Sequence, residues 1–307
     1  MGRRINAFRS GAYDLGVSKD GANDMHRLLS IATLIVATCI AYNGAARSQA
    51  ATDTDQVEQL LAHTPILTLT DAIASELRVG VPNALFRTGL HITDSESRKV
   101  RKALAEAYST TSIREDFLRR VAIRLALEHR RALDGWYTSP LGRELKRNEE
   151  WALEREWSPT QVRRSAAELL AKASQERSRL LHDLGRLVPR ATLSQVSYFI
   201  SRVAMLRINV ALLPNEPAIS EGDLRDQLKR ERPELQSAVF AHMTDLGTNA
   251  YLGIITANLA KYADFLQSEE MRFVDAAISS ALTETLEDAT NRLSVLLAKE
   301  LASPSKT

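Results

Sequence analysis

The amino-acid sequence predicts an all-α protein made of antiparallel helical hairpins. Apolar residues recur every three or four positions over long stretches, which is the spacing of one face of a helix, and no strand-like alternation competes with it. The pairs Ser139-Pro140 and Ser158-Pro159 favour helix starts, because serine caps exposed N–H groups and proline suits the first helical turn.

The apolar spacing and the positions of glycine and proline define the individual helices. Thr93 and Ser220 each precede acidic residues, as expected at a helix start, whereas Gly80 and Pro189 fall where a helix is expected to end. Pro233 either opens a new helix or kinks one. The predicted helices span residues 54–63, 70–79, 94–109, 112–133, 140–156, 159–187, 192–213, 221–232, 234–264 and 269–301.

The length of 307 residues suffices for one large or two small domains. With 44% hydrophobic and 25% charged residues the composition is globular, which excludes a disordered tail protein and a polytopic membrane protein. The predicted organisation is a helical unit over 51–213, a linker at 214–220, a second helical unit over 221–302 and a polar tail at 303–307.

Residues 25–50 have the composition of a secretory signal peptide. A basic start precedes an apolar stretch of suitable length, and Ser48 and Ala50 supply the small residues expected before cleavage between Ala50 and Ala51. Residues 1–24 are then an extension upstream of the true translation start. We therefore expect a mature bacterial protein in the periplasm or outside the cell, without an integral membrane domain.

Two other interpretations of this segment stay open at the level of sequence. In the first, the apolar stretch Leu28–Ala41 is a retained anchor and the protein is a membrane-tethered spacer, although spanning a bilayer takes about 20 apolar residues. In the second, Cys39 is lipidated.

Cysteine content and charge exclude several classes of chemistry and partner. Cys39 is the only cysteine, so the mature chain forms neither a disulfide nor a thiolate metal site. Residues 1–50 contain 6 of the 40 Lys and Arg residues and 3 of the 38 Asp and Glu residues, which leaves 34 basic and 35 acidic residues after cleavage. A nearly neutral chain gives no reason to expect nucleic acid or an anionic membrane as a partner.

A distinctive turn over residues 133–143 has a weaker copy 129 residues later, over 262–272. The register pairs Trp136 with Phe265, Ser139 with Ser268 and Arg143 with Arg272. In both copies an aromatic residue closes one helix and a serine caps the next, so each copy predicts a helical hairpin. Either an internal duplication into two similar stacked units or a chance similarity between helix-rich segments explains the match.

The first copy of the turn resembles domain-of-unknown-function family 2059, which is found in exported bacterial proteins. The family signature is an aromatic pair followed by Ser-Pro-x-Gly and a basic residue. It is matched by Trp136, Tyr137, Ser139, Pro140, Gly142 and Arg143. The resemblance covers residues 115–165, with an echo over 250–285 that lacks the proline and the glycine. It implies an exported helical protein and supplies no catalytic residue.

Sequence signatures of catalysis and cofactor binding are not found in the mature chain. Its histidines form neither a His-Glu-x-x-His nor a Glu-x-x-His motif, one of which zinc and di-iron sites on helices require. The sequence contains no Gly-x-Ser-x-Gly elbow and no glycine-rich phosphate loop. We therefore expect no cofactor, no metal site and no catalytic residue.

The segment 114–147 is rich in both arginine and acidic residues, and all three tryptophans lie in it or just after it. Ion pairs on a solvated face and tryptophans in the core account for this composition, and an interaction surface is the alternative. The leading hypothesis is a non-enzymatic binding or interaction module of the periplasm that contacts an envelope protein or component through Trp136, Tyr137 and Arg143. The competing hypothesis is an envelope hydrolase whose active carboxylates are scattered along the chain.

Overall fold

The structure is a computed structural model that describes residues 53–87, 92–154, 158–213 and 221–302. The features predicted outside these ranges are the extension 1–24, the signal peptide 25–50, its cleavage site at Ala50 and Ala51, the linker 214–220, the tail 303–307 and Trp157. Within the described ranges, no helix combines the length and the apolar character needed to cross a membrane.

The described residues form helices and contain no strand, which confirms the all-α prediction. In chain order the helices are α1 (53–62), α2 (Ile66–Arg87), α3 (Asp94–Ala107), α4 (Thr110–Arg124), α5 (Leu127–Tyr137), α6 (Pro140–Glu154), α7 (Pro159–Leu170), α8 (Gln175–Leu187), α9 (Pro189–Leu212), α10 (Glu221–Ala250), α11 (Thr256–Gln267) and α12 (Glu269–Ala302).

Helix starts predicted from capping residues are confirmed at α3 and α7. The Thr93 hydroxyl accepts a hydrogen bond from the Glu96 N–H at 3.2 Å, and the Glu96 carboxylate accepts one from the Thr93 N–H at 2.8 Å. Ser158 and Gln161 form the same reciprocal pair, at 3.3 and 2.8 Å. These bonds satisfy N–H groups that have no partner inside a helix.

Several predicted helix boundaries are wrong. The predicted helices 112–133, 159–187 and 234–264 are each divided, at residues 125–126, 171–174 and 251–255. Conversely, Gly80 and Pro233 lie inside α2 and α10 and end neither helix. A single glycine lowers helix stability by only about 1 kcal/mol, which packing of the same helix outweighs.

Arginine side chains satisfy the backbone carbonyls at two of the unpredicted breaks. After α4, the Arg130 guanidinium donates to the carbonyl oxygens of Ala122 and Leu125, both at 2.8 Å. After α10, Arg177 of α8 donates to two carbonyl oxygens of residues 251–254, at 2.6 and 2.7 Å. Because a guanidinium supplies several donors in one plane, the chain leaves the helical path while its carbonyls keep hydrogen-bond partners.

Helix α12 lies at the centre of the hydrophobic core. Residues on several sides of it are buried, and it packs against α3, α4, α5, α9 and α11. Buried residues before and after residues 214–220 belong to one hydrophobic cluster, and the described residues from 53 to 302 belong to one compact unit. The helices that the sequence assigns to two units therefore share a core.

Helix α10 has an exposed half and a buried half. None of its described residues from 222 to 242 is buried, although Gln236 donates a hydrogen bond to Gln195 of α9 at 3.2 Å. From Met243 onward the helix is part of the core. There it approaches α8 so closely that a Cβ atom on Gly185 would clash with Thr244.

Candidate functional site

The two predicted turns have the same capping geometry. In the first, the Ser139 N–H donates to the Trp136 carbonyl at 3.0 Å, and the Ser139 hydroxyl accepts from the Gly142 N–H at 3.0 Å. In the second, the Ser268 N–H donates to the Phe265 carbonyl at 3.1 Å, and its hydroxyl accepts from the N–H three residues later at 3.2 Å. The prediction of two serine-capped hairpins is confirmed.

The similarity extends to the helices before each turn. The break after α4 and the break after α10 correspond when the sequence is shifted by the 129 residues that separate the two turns. The residues that precede α5 and α11 have nearly equal backbone angles, with φ −64° and ψ 157° at Ala126 and φ −67° and ψ 149° at Ile255. Helix α4 packs against α12, and α10 packs against α6. If each copy is extended to three helices, α4 to α6 and α10 to α12, the first helix of each copy contacts the last helix of the other. A duplication with approximate twofold symmetry would produce this arrangement.

Aromatic residues that correspond between the copies contact each other. The rings of Trp136 and Phe265 stack with centroids 4.3 Å apart and planes 6° apart. Tyr262 lies nearly parallel to Trp136 at 5.9 Å, and Tyr137 meets Phe265 edge-on at 6.3 Å. The two turns therefore share one aromatic cluster, which joins α5 to α11.

Gly142 is required by the first turn. A Cβ atom at this position would clash with the carbonyl oxygen of Trp136 and would lie 2.9 Å from the Cα atom of Tyr137. The second turn has Met271 at the corresponding position, and this residue is only 2% exposed. The turns share their hydrogen bonds but differ in how closely the second helix approaches the end of the first.

The three predicted interaction residues lie in different environments. Tyr137 is 2% exposed, and burial, together with the nearby charge of Glu149, raises the pKa of its phenol. Trp136 is half-buried, whereas Arg143 is exposed and its guanidinium donates to the Thr138 carbonyl. Tyr137 is therefore not accessible to a partner, because its ring is part of the aromatic core.

The arginine-rich segment forms ion pairs between α4 and α12. Arg120 binds Asp116, Glu284 and Asp288 at 2.8, 2.7 and 2.5 Å, and Arg124 binds Glu284 at 2.7 Å. These guanidinium groups are thus used to join two helices of the chain. The interpretation of this segment as an ion-paired, partly solvated face is confirmed for these residues.

Glu149 of α6 is a half-buried polar residue that no sequence motif singles out. Its Oε1 atom accepts hydrogen bonds from the phenols of Tyr251 and Tyr262 at 2.5 and 2.8 Å. Burial, and then the charge of Glu149, raise the pKa of both phenols well above the ordinary value, so both act as neutral donors. The spacing of four after Leu141 and Leu145 is the sequence signal that places Glu149 on this inner face.

Glu149 lies in the wall of a cavity of about 50 Å³ between α2, α6, α8 and α10, termed the Glu149 cavity. Most of the wall is apolar, with side chains such as Leu69, Leu184 and Met243, and Tyr251 also lines it. A space of this size admits water or a small organic group. The cavity thus brings one carboxylate into mostly apolar surroundings.

Two larger clefts lie beside the exposed half of α10, and both are lined by Tyr198 and Leu235. The α12-side cleft, between α9, α10 and α12, has a volume of about 450 Å³. The α2-side cleft, between α2, α9 and α10, has a volume of about 350 Å³ and contains Glu76. Both volumes fall in the range of about 300 to 1,000 Å³ that is typical of ligand sites.

The described ionisable residues were compared with the arrangements that metal and hydrolase sites need. No group of three or more His, Cys, Asp or Glu side chains in the described ranges is arranged to hold a metal ion. His63 contacts Asp134 at 3.2 Å, and the His129 ring stacks on Phe273 at 4.1 Å. The Glu149 cavity and the two clefts each contain a single carboxylate, whereas the hydrolase hypothesis requires convergent carboxylates.

None of the protein-family models, curated proteins or solved structures compared with this chain matches it. Membership of domain-of-unknown-function family 2059 therefore stays a prediction. The residues that carry the resemblance nevertheless have a physical role, because Ser139 caps α6 and Gly142 permits the close approach of α6 to the end of α5.

Proposed function

We propose that this chain is an exported, non-enzymatic interaction module that binds an amphipathic helical segment of an envelope protein in the α12-side cleft. The exposed half of α10 carries the proposal. It lies along α9 with no buried residue among those described from 222 to 242, and it borders a cleft of about 450 Å³. A helix normally buries one face, and no side chain with described burial between 222 and 242 is buried, so this half-helix offers a face to a partner.

The wall of the α12-side cleft suits apolar anchor residues. Val196 and Phe199 of α9 and Leu235 of α10 line it, and Tyr198, which is 37% exposed, stands between the two clefts. An amphipathic helix presents anchors three or four residues apart, which is how helices bind in grooves. Burial of one leucine-sized anchor contributes about 1.5 to 3 kcal/mol.

Charged residues in the same cleft define the chemistry of the partner. Lys229 and Arg232 lie on the α10 wall, and Glu287 lies on the α12 wall. A partner helix with acidic residues toward α10 and a basic residue toward α12 complements both walls. Such complementarity sets orientation and association rate more than it sets affinity.

Photocrosslinking in the native envelope tests this function. A photoreactive amino acid replaces Tyr198, the captured segment is sequenced, and a peptide of that sequence is titrated into the purified chain. We expect an amphipathic segment with acidic residues beside its apolar stripe. Capture of a second copy of this chain, or of a segment without an apolar stripe, would contradict the proposal.

Two matched variants locate the binding site of the captured peptide. Leu235→Asp places a charge in the cleft wall and is expected to weaken binding by about tenfold or more, the equivalent of losing one anchor. Val295→Asp makes the same kind of change at a residue of α12 that is 70% exposed and lies outside the cleft lining. An equal loss of affinity in both variants would place the peptide elsewhere.

A further inference from the structure

We propose that the first part of α10 is an arm that bends at Pro233 and closes over a helix bound in the α12-side cleft. The arm is defined as residues 221–232, which precede the proline. It carries Lys229 and Arg232, the two cationic side chains of the cleft wall. The closure rests on the proposed function, whereas the bend at Pro233 is a property of the free chain.

Pro233 is the point at which α10 bends most easily. Its ring nitrogen has no hydrogen to donate, so the carbonyl of Lys229, four positions earlier, lacks its partner within the helix. The proline ring also crowds that carbonyl, and sharp bends in helices occur at such positions. Pro233 is exposed, so a bend there does not require the ring to leave a packed site.

The two sides of the proline are attached to the rest of the chain differently. On the far side, Gln236 donates a hydrogen bond to Gln195 of α9 at 3.2 Å, and α10 enters the core at Met243. Among the arm side chains with described burial, Gln227 and Glu231 are half-buried and the others are exposed. Gln227 donates to Glu231 at 2.7 Å, and this bond lies within the arm. The arm is therefore held less firmly than the part of α10 that follows it.

The lining of the two clefts gives the direction of closure. Lys229, Arg232 and Leu235 are the residues that α10 contributes to the α12-side cleft, and the first two belong to the arm. In the α2-side cleft, α10 contributes Leu235 and Val239, which both follow the proline. Bending of the arm toward α12 therefore narrows the α12-side cleft and leaves the α2-side cleft as it is.

Electrostatic attraction couples closure to the presence of a partner. With a helix in the cleft, the two cations of the arm approach its acidic residues, while Glu287 stays in place on the α12 wall. An exposed ion pair contributes little by itself, so the closed state is favoured only with a complementary partner. Closure also delays release, because the partner leaves only after the arm has reopened.

Distances between spin labels in the full chain, measured by double electron–electron resonance, test the bend. Cys39 is the only cysteine, so a Cys39→Ala background carries labels at introduced cysteines only. Arg230→Cys places a label on the exposed surface of the arm, and Ser237→Cys places the control label beyond the proline. Each is paired with a label at an exposed position of α12, introduced by Ser280→Cys.

The free chain decides whether the arm bends. We expect the distance distribution of the arm label to be at least twofold broader than that of the control label. Pro233→Ala is expected to narrow it to the control width, because alanine supplies the missing N–H. Equal widths for the two labels in the free chain, or a width that Pro233→Ala leaves unchanged, would overturn the proposal.

The peptide captured by photocrosslinking tests the closure. Its addition is expected to shift the arm distances to one shorter, narrow peak and to leave the control distances unchanged. Pro233→Ala is expected to speed peptide release about fivefold, the equivalent of two exposed ion pairs, whereas Glu234→Ala, at the next exposed position, should not. A broad arm distribution that the bound peptide leaves unchanged would refute closure. Absence of peptide binding would refute the proposed function and with it the closure, while the free-chain widths decide the bend independently.

Discussion

Replacement of Asp275 by asparagine is predicted to stabilise the protein at neutral pH. Asp275 lies on α12 against α9, where its carboxyl accepts a hydrogen bond from the Thr192 hydroxyl at 3.4 Å. Burial raises the pKa of Asp275 from 3.8 to about 6, and this bond offsets only part of the effect. The ionised carboxylate is therefore less stable in the folded chain than in the unfolded chain.

The magnitude follows from the difference between the folded and unfolded pKa values. The folded chain holds the proton more tightly, so stability decreases as the pH rises from about 4 through about 6. Each pH unit of difference corresponds to about 1.4 kcal/mol, which gives about 3 kcal/mol above pH 7 for the values 3.8 and 6. Solvent screening at the exposed part of the residue reduces this to about 2 kcal/mol.

Urea unfolding of the wild type and of Asp275→Asn, at a series of pH values, measures this effect. The variant is expected to gain about 2 kcal/mol at neutral pH, which corresponds to an increase in Tm of about 4 to 8 °C, and to gain nothing near pH 4. Asp183→Asn, at an exposed position of α8, is the control. A gain of the same size at both pH values would refute the reasoning, because it would not depend on ionisation.

Three further substitutions test the turns, the core and the helix breaks. Gly142→Ala is expected to cost about 3 kcal/mol or more in thermal unfolding, because the added Cβ atom meets the backbone of the preceding helix. Tyr108→Phe removes a buried hydrogen bond to Thr290 of 2.7 Å and is expected to cost about 1 kcal/mol in urea unfolding. Arg177→Lys removes the forked donor that holds two carbonyls after α10, and is expected to speed amide exchange in that turn about tenfold.

Each of these substitutions has its own control or contradicting result. Gly135→Ala is matched to Gly142→Ala, because a Cβ atom there has no neighbour within 4 Å, so equal losses at both glycines would exclude close helix approach as the cause. Wild-type stability of Tyr108→Phe would show that its hydroxyl contributes nothing to folding. Arg179→Lys, at an exposed position of α8, should leave exchange unchanged. The same acceleration in both arginine variants would contradict the assigned role of Arg177.

Helical spacing predicted the fold class because most helices of this chain have one apolar face that is buried. The breaks within the predicted helices were not predictable from the same spacing. The turn after α10 is held by Arg177, which lies 74 and 77 positions earlier in the sequence than the carbonyls it binds. The spacing of apolar residues reports on neighbours within one helix. It carries no information on contacts made by a side chain of a different helix.

In the candidate site, too, contacts between residues close in sequence were predictable, and contacts between residues far apart in sequence were not. The serine caps depend on residues three positions apart, and the sequence predicts them. Glu149 belongs to a run of charged and polar residues that is typical of a solvated helix face. Its hydrogen bonds with Tyr251 and Tyr262, 102 and 113 positions later, cannot be deduced from that run. The arginine and aromatic residues around Tyr137 predict an interaction surface, whereas its ring contacts Phe265, which belongs to the other copy of the turn and is distant in sequence.

The stacking of Trp136 on Phe265 has a consequence for the ancestry of the chain. In a symmetric pair, a side chain touches its own counterpart only where it lies on the rotation axis. If both turns descend from one hairpin, the ancestral polypeptide formed a dimer in which this aromatic ring contacted the same ring of the second copy. Gene fusion then turned that contact between two chains into a contact within one chain. Fusion also frees each half to evolve alone, since a substitution no longer appears twice. Gly142 and Met271 occupy corresponding positions but differ. Two identical copies of an ancestor would carry the same residue at this position, so on this hypothesis the difference arose after fusion.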